Sequence, residues 1–390
     1  MHYLDYAATS AIRPDSVIEA VHDFLREVGA SPGRGGYRRS VESGRTCFRC
    51  RRGLARIMGV SGDPGRVTFM MNATQGLNTA LCGLLTPGSA VVITPFDHNA
   101  VLRPAWAMSR QRGVEARMAP GAPDGTLDLE ALGPLLDGAR LLVVNAASNV
   151  LGTRLPLAEM TRMAHEAGAL VLVDGAQSLG HLPDRPGEAG VDLIAFTGHK
   201  GLLGPQGIGG LWVREGLDVT PLITGGTGGR SDLRDMPPSY PDHLEAGTPN
   251  APGIAGLLAG LEFLEERGVE ELHRHEADLK ARLRDGLEQI PGVRVLSPDA
   301  PDGTGVVTIT CDRIDPASLS RRLEEEWAVM CRPGLHCAPE VHRLLGTLET
   351  GALRFSLGWA STGDDVDRTV AGVEAIAGPT RVAPGASASS

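Results

Sequence analysis

The sequence predicts an α/β protein: a mostly parallel, doubly wound sheet in a large domain, followed by a smaller α+β region. Three observations predict this. Short runs such as residues 141–145 (LLVVN) and 169–174 (ALVLVD) are apolar without alternation, as in strands buried on both faces. Such runs alternate with segments of helical period through the first 250 residues. From about Ala251 the texture changes to longer helices and fewer strands.

In chain order, residues 67–71 (VTFMM) read as a strand, followed by Asn72-Ala73-Thr74-Gln75-Gly76 and a helical pattern. Residues 90–94 (AVVIT), 141–145 and 169–174 are further strands, with a helix over 157–167 between the last two. Residues 191–197 and 208–213 add two more. Beyond 251, helices are expected over 254–267, 270–289, 316–325 and 363–377, and strands over 305–311 and 352–359. The terminal GPTRVAPGASASS is small, polar and rich in proline and glycine, so residues 379–390 are expected to be a disordered tail.

Composition bounds the function. The 390 residues are ordinary globular material, 42% hydrophobic and 22% charged, enough for two packed domains. With only 4% aromatics, the cores must be built from Val, Leu, Ile and Ala. A net charge of −10 argues against nucleic acid and anionic membrane surfaces as partners. No apolar run approaches the roughly 18–20 residues that span a bilayer. The first ten residues have neither a basic region nor an apolar one, so no secretory signal is expected and a cytoplasmic location follows. The six cysteines then read as thiols rather than a disulfide framework.

The chemistry gathers at strand ends. Asp174 ends one apolar strand and is followed by Gly175-Ala176-Gln177. Thr197-Gly198-His199-Lys200 ends another, and a glycine-rich stretch follows. Ligands of doubly wound sheets sit outside the carboxyl ends of the strands, so Asp174 and Lys200 should face one crevice. A lysine and a carboxylate in one crevice meet the needs of pyridoxal 5′-phosphate. The amine forms an imine with the aldehyde, and the carboxylate keeps the pyridine nitrogen protonated. The phosphate needs amides and hydroxyls at a helix N-terminus, which Thr74-Gln75-Gly76 supplies.

With these residues in view, the chain resembles the class V aminotransferase family, and within it the cysteine desulfurases and selenocysteine lyases. The blocks that carry the resemblance run from Tyr3-Leu4-Asp5-Tyr6-Ala7-Ala8-Thr9 to about residue 370. Between them lie Asn72-Ala73-Thr74, Asp97-His98-Asn99, Ser148-Asn149-Val150-Leu151-Gly152, Asp174 to Gln177 and Thr197 to Lys200. Then follow Glu245 to Asn250, Arg332-Pro333-Gly334-Leu335-His336-Cys337, and Arg354-Phe355-Ser356. The resemblance implies the type I fold of pyridoxal-phosphate-dependent transferases. It assigns residues 15–250 to a large cofactor-binding domain, and 1–14 with 251–378 to the smaller one.

It also implies roles. Lys200 would carry the cofactor and Asp174 would pair with the pyridine nitrogen. His98 would stack on the ring and aid proton transfer. Gln177 and Asn149 would contact the phenolic oxygen or the substrate. Thr74, Thr197 and His199 would bind the phosphate, and Thr248 would reach the phosphate of a neighbouring subunit, which implies a homodimer with shared active sites. Arg354 would hold the substrate carboxylate in a bidentate fork, with Arg332 beside it.

Cys337 occupies the position of the desulfurase nucleophile. The resemblance then implies an L-cysteine desulfurase that passes sulfur to Cys337 as a persulfide and releases alanine, with a sulfur-acceptor protein downstream. Arg332 and His336 are the cations expected to favour the thiolate. The short Arg-x-Gly-x-His-Cys-Ala loop resembles group II desulfurases. Two departures, the absence of the extra N-terminal helix and Tyr37 in place of a frequent histidine, leave a specialised sulfur-donating role open. The alternatives are other class V reactions, namely a C–S β-lyase, selenocysteine lyase, epimerase or aminotransferase, and, from another class, a scaffold without catalysis.

The remaining motifs read blandly. Cys47-Phe48-Arg49-Cys50 lies in a helical pattern over 41–58 that puts both cysteines on one packing face. Cys331, His336, Cys337 and His342 lack zinc-site spacing, so no metal is expected. The eight arginines of residues 34–56 read as a solvated helix face. Gly225-Gly226-Thr227-Gly228-Gly229 reads as a loop near the active site.

Overall fold

Strands that are apolar on both faces have to be covered on both faces, and they form the centre of the molecule. The computed structural model describes residues 1–33 and 35–378; the expected tail, 379–390, lies outside the described residues. A seven-stranded sheet has the order Val67–Met70, Gly209–Val213, Leu193–Thr197, Leu170–Asp174, Ala139–Asn145, Ala90–Ile93, Glu115–Met118. Gly209–Val213 runs antiparallel to both neighbours, and every other pairing is parallel. Two apolar clusters cover its faces, one holding Leu142 and Val144, the other Leu141 and Val143. Adjacent residues thus point to opposite cores, and each buried aliphatic side chain contributes about 1.5–3 kcal/mol.

A four-stranded antiparallel sheet, in the order Arg332–Gly334, Ala352–Ser356, Val306–Cys311, Val293–Val295, packs with the helices Val269–Glu288, Pro316–Trp327 and Gly363–Ala377 around a third core. The N-terminal strand His2–Tyr3 pairs with Val329–Met330, and Asp5 bridges to Ser356. The first residues of the chain are thereby laid against its last strand. Among the described residues, no helix is long and apolar enough to cross a membrane.

The mixed α/β architecture with a mostly parallel large sheet is as expected. Some elements are not legible from periodicity. Glu115–Met118 is an edge strand with two charged residues, so it shows no apolar run. The helix Asn99–Arg112 contains Pro104, which breaks the pattern. The helix Arg38–Met58 does bury Cys47 and Cys50 on one face, and burial raises both thiol pKa values. Its arginines at 38, 39, 45, 49, 52 and 56 are exposed, as expected of a solvated face, and Arg51 departs from it. Arg51 is buried, donates to Glu245 at 2.7 and 2.9 Å, and lies 4.3 Å from the Phe69 ring. Arg49 and Arg56 pair with Glu262 and Glu265.

Candidate active site

The carboxyl ends of the central strands open into a cavity of about 410 Å³. Asn145 and Asp174 are paired across adjacent strands at its floor, and Thr197 ends the next strand. All the site residues expected from the sequence line this cavity except Thr248, which is exposed. The stretch 225–229 does not line it either; Thr227 lies in a separate cleft with Phe48 and Tyr240.

Lys200 is half-buried, and desolvation lowers its amine to about 8, against the opposing pull of the Asp174 charge. An amine so poised is a usable base near neutral pH. Burial pushes the Asp174 carboxyl up, although the Ala176 amide donates to it at 3.0 Å. Such a carboxylate gains from a cationic neighbour.

One wall is an anion cradle. Asn72 caps the helix Ala73–Leu84, its Oδ1 accepting the Gln75 amide at 3.0 Å, while the first-turn amides have no acceptor within the helix. Gly76 lets this helix start lie on the sheet: a Cβ there would stand 2.7 Å from the Gly210 carbonyl oxygen. The Thr197 hydroxyl is buried without a partner among the described residues. His199 completes the wall, its Nδ1 3.1 Å from Thr9 Oγ1, and burial depresses it to about 4.

His98 caps the helix Asn99–Arg112, and its Nδ1 accepts the Ala100 amide at 3.0 Å. Burial, then the charges of Lys200, Arg103 and Arg354, lower it to about 4, so the ring is neutral with its proton on Nε2.

The opposite wall is cationic. Asp5 accepts from Arg354 at 2.9 Å and from Arg332 at 2.7 Å. The other amino group of Arg354 donates to the Asn149 carbonyl at 3.0 Å, and its Nε is buried without a partner among the described residues. The free fork expected of Arg354 is thus partly engaged by Asp5. Two guanidinium groups against one carboxylate leave one positive charge for an anionic guest.

Cys337 stands exposed at the rim, at φ 56°, after His336 at φ 52°. His336 corrects the expectation of a cation beside the thiol. Its side chain is buried, Nε2 faces the Arg332 carbonyl at 2.9 Å, and burial beside Arg354 drives the ring down to about 3. Of the two expected cations, Arg332 remains. His336 and His342 take each other as hydrogen-bond partners.

The unpartnered polar atoms test whether pyridoxal 5′-phosphate fits. Thr197 Oγ1, Asn149 Oδ1 and Arg354 Nε are buried without partners among the described residues, and all three residues line this cavity. Buried polar groups in folded proteins are almost always paired, so these atoms await a ligand. With the Lys200–Asp174 pair and the helix start, they supply an amine, a carboxylate and an anion cradle in one cavity. The group fits.

The depressed histidines give a pH dependence for the cofactor-free protein. His98, His199 and His342 are lowered to about 4 and His336 to about 3, from an ordinary 6.5. Below 6.5 these four bind protons when unfolded but not when folded. Asp97, raised to about 8, and Asp174, also raised, work in the opposite sense. His273 is lowered by burial too, and five against two leaves the unfolded chain with more protons, so stability falls as pH drops from 6.5 toward 4. The urea midpoint is expected to be lower at about pH 5 than at about pH 7.

Asp5, Thr9 and Gln206 are site residues for which the sequence offered no role. For Asp5 and Thr9 the available signal was their place in the first block of the resemblance, beside which two distant arginines needed a counter-charge.

The family model for aminotransferase class-V matches residues 2–369. A probable cysteine desulfurase of Methanothermobacter thermautotrophicus is 31% identical over 384 residues, 96% of this chain and 94% of the relative. The apo structure of a cysteine desulfurase from Thermococcus onnurineus superposes with a TM-score of 0.89 at 30% identity, over 96% of this chain and 94% of that one. A cysteine desulfurase structure from Escherichia coli gives 0.86 at 29% identity, over 96% and 94%.

Proposed function

The chain belongs to the class-V aminotransferase family, and we propose that it is a pyridoxal-phosphate-dependent L-cysteine desulfurase. The observation that carries this reading is an exposed thiol, Cys337, at the rim of the cavity that Lys200 and Asp174 floor.

Lys200 would hold the cofactor, with Asp174 at the pyridine nitrogen and His98 at the ring. Gln177 and Asn149 would serve the phenolic oxygen or the substrate. Thr74, Thr197, His199 and the helix-start amides would take the phosphate. When bound, pyridoxal 5′-phosphate supplies an electron sink that stabilises a carbanion on the substrate. The rest falls to the chain. Arg354 Nε and Arg332 draw in the substrate carboxylate. Lys200, lowered to about 8, is the base for the Cα proton. His98 carries its proton on Nε2, so in this state it donates a hydrogen bond. The Cys337 thiolate attacks the substrate sulfur. A sulfur–sulfur bond forms and the carbon–sulfur bond breaks, leaving its electron pair on carbon. A proton then completes L-alanine, and Cys337 holds a persulfide. Sulfur is oxidised and carbon reduced within one substrate, so no external oxidant is needed.

Exposure of Cys337 leaves the persulfide open to an acceptor thiol of a second protein. Thr248 is exposed and stands outside its own chain's cavity, and Tyr37, Phe48, Met71 and Ile223 are large exposed hydrophobics. Both features support a homodimer in which Thr248 serves the partner's phosphate.

Product analysis tests the reaction. Holoenzyme given L-cysteine and a reductant is expected to release alanine and sulfide in equal amounts. Pyruvate and ammonia in place of alanine would identify a C–S β-lyase.

A further inference from the structure

Beneath the Cys337 loop lies a buried column of side chains to which the proposed chemistry assigns no part. His336 Nε2 is 2.9 Å from the Arg332 carbonyl oxygen. His336 Nδ1 is 3.2 Å from His342 Nε2, with the rings stacked at 5.3 Å. His342 Nδ1 is 2.8 Å from Thr347 Oγ1. His336, His342 and Thr347 are 8%, 0% and 6% exposed.

The carbonyl at the end of this column forces every proton in it. A carbonyl only accepts, so His336 Nε2 must carry a proton. A neutral His336 then has a bare Nδ1, which requires a proton on His342 Nε2. His342 Nδ1 is therefore bare and accepts from the Thr347 hydroxyl. Each ring is fixed at both nitrogens.

The column holds something strained. His336 and Cys337 both occupy the left-handed backbone region, at φ 52° and 56°. This costs a non-glycine residue about 1–2 kcal/mol, and it persists only where the surroundings enforce it. The His336 carbonyl takes the Asn149 amide nitrogen at 2.6 Å, and the Cys337 carbonyl takes the Asn99 amide at 2.7 Å. With these bonds at the sides and the imidazole column below, the thiol is the part left free.

We propose that His342 is a positioning residue: by donating Nε2–H to His336 it locks the strained His336–Cys337 turn and sets where the thiol stands at the cavity rim. The inference rests on the reading that Cys337 accepts the sulfur.

Three variants separate the donor from mere bulk. His342→Leu keeps the volume without the donor, His342→Gln restores an N–H, and Thr347→Val frees His342 to take the other tautomer. The readouts on the holoenzyme are hydrogen exchange at the Asn99 amide, whose acceptor is the Cys337 carbonyl, and kcat and KM for L-cysteine. In His342→Leu, exchange at Asn99 is expected to rise about tenfold or more and kcat to fall about 30- to 100-fold, with KM changed less than about twofold. Thr347→Val should move both the same way by about 3- to 10-fold, and His342→Gln should stay within about twofold of wild type. Should His342→Leu not fold, Thr347→Val decides. Wild-type exchange and kcat in Thr347→Val, or a His342→Gln as impaired as His342→Leu, would overturn the proposal. Full desulfuration by Cys337→Ala would overturn the sulfur-transfer reading instead, and exchange at Asn99 would still report on the lock.

Discussion

Lys200→Ala is expected to lower kcat for L-cysteine by about 10⁴-fold or more, because it removes the covalent anchor and the base together. Lys200 sits beyond the end of the strand Leu193–Thr197, half-buried, lowered to about 8 and balanced by Asp174. Among the residues that line the cavity it is the only lysine, so an alanine leaves no amine to replace it. The anion cradle at Thr74 and Thr197 is untouched, so the variant should still take up the cofactor, without a covalent link. Borohydride reduction is the check. It should tie the cofactor to the Lys200 peptide in the wild type and to no peptide in the variant. Retained turnover in Lys200→Ala would remove the base from the account.

Cys337→Ala is expected to cost about 10²- to 10³-fold in alanine formation from L-cysteine, with cofactor binding unchanged. The side chain is exposed, so stability should move by less than about 0.5 kcal/mol. Cys337→Gly separates function from fold further. Glycine relieves the left-handed strain at φ 56°, and the variant should be more stable than the alanine by about 1 kcal/mol while equally inactive. Paired kcat and urea-midpoint measurements check both halves.

The Lys200–Asp174 crevice was legible because a strand buried on both faces has to be apolar throughout, so a polar residue at its end stands out. The large sheet was readable for the same reason. What escaped was set by distance or by burial. Asp5 meets Arg354 across 349 positions, brought there by the N-terminal strand pairing with Val329–Met330, and no local pattern announces such a contact. His336 reads as a cation from its place before Cys337, yet its environment holds it neutral, because burial and two arginines outweigh one carbonyl. Arg51 reads as one of many helix arginines, and only Glu245, almost two hundred residues away, makes it a buried one.

In the function proposed for these residues, an amine on the cavity floor would draw off a proton, two arginines would hold the carboxylate, and the exposed thiol of Cys337 would collect the sulfur. The central claim is the last of these. It is tested most directly by a single turnover of holoenzyme with L-cysteine, without reductant, followed by mass analysis of the Cys337 peptide. This peptide is expected to gain one sulfur atom, which a reductant then removes, in step with the alanine formed. An unmodified Cys337 peptide alongside stoichiometric alanine would contradict it.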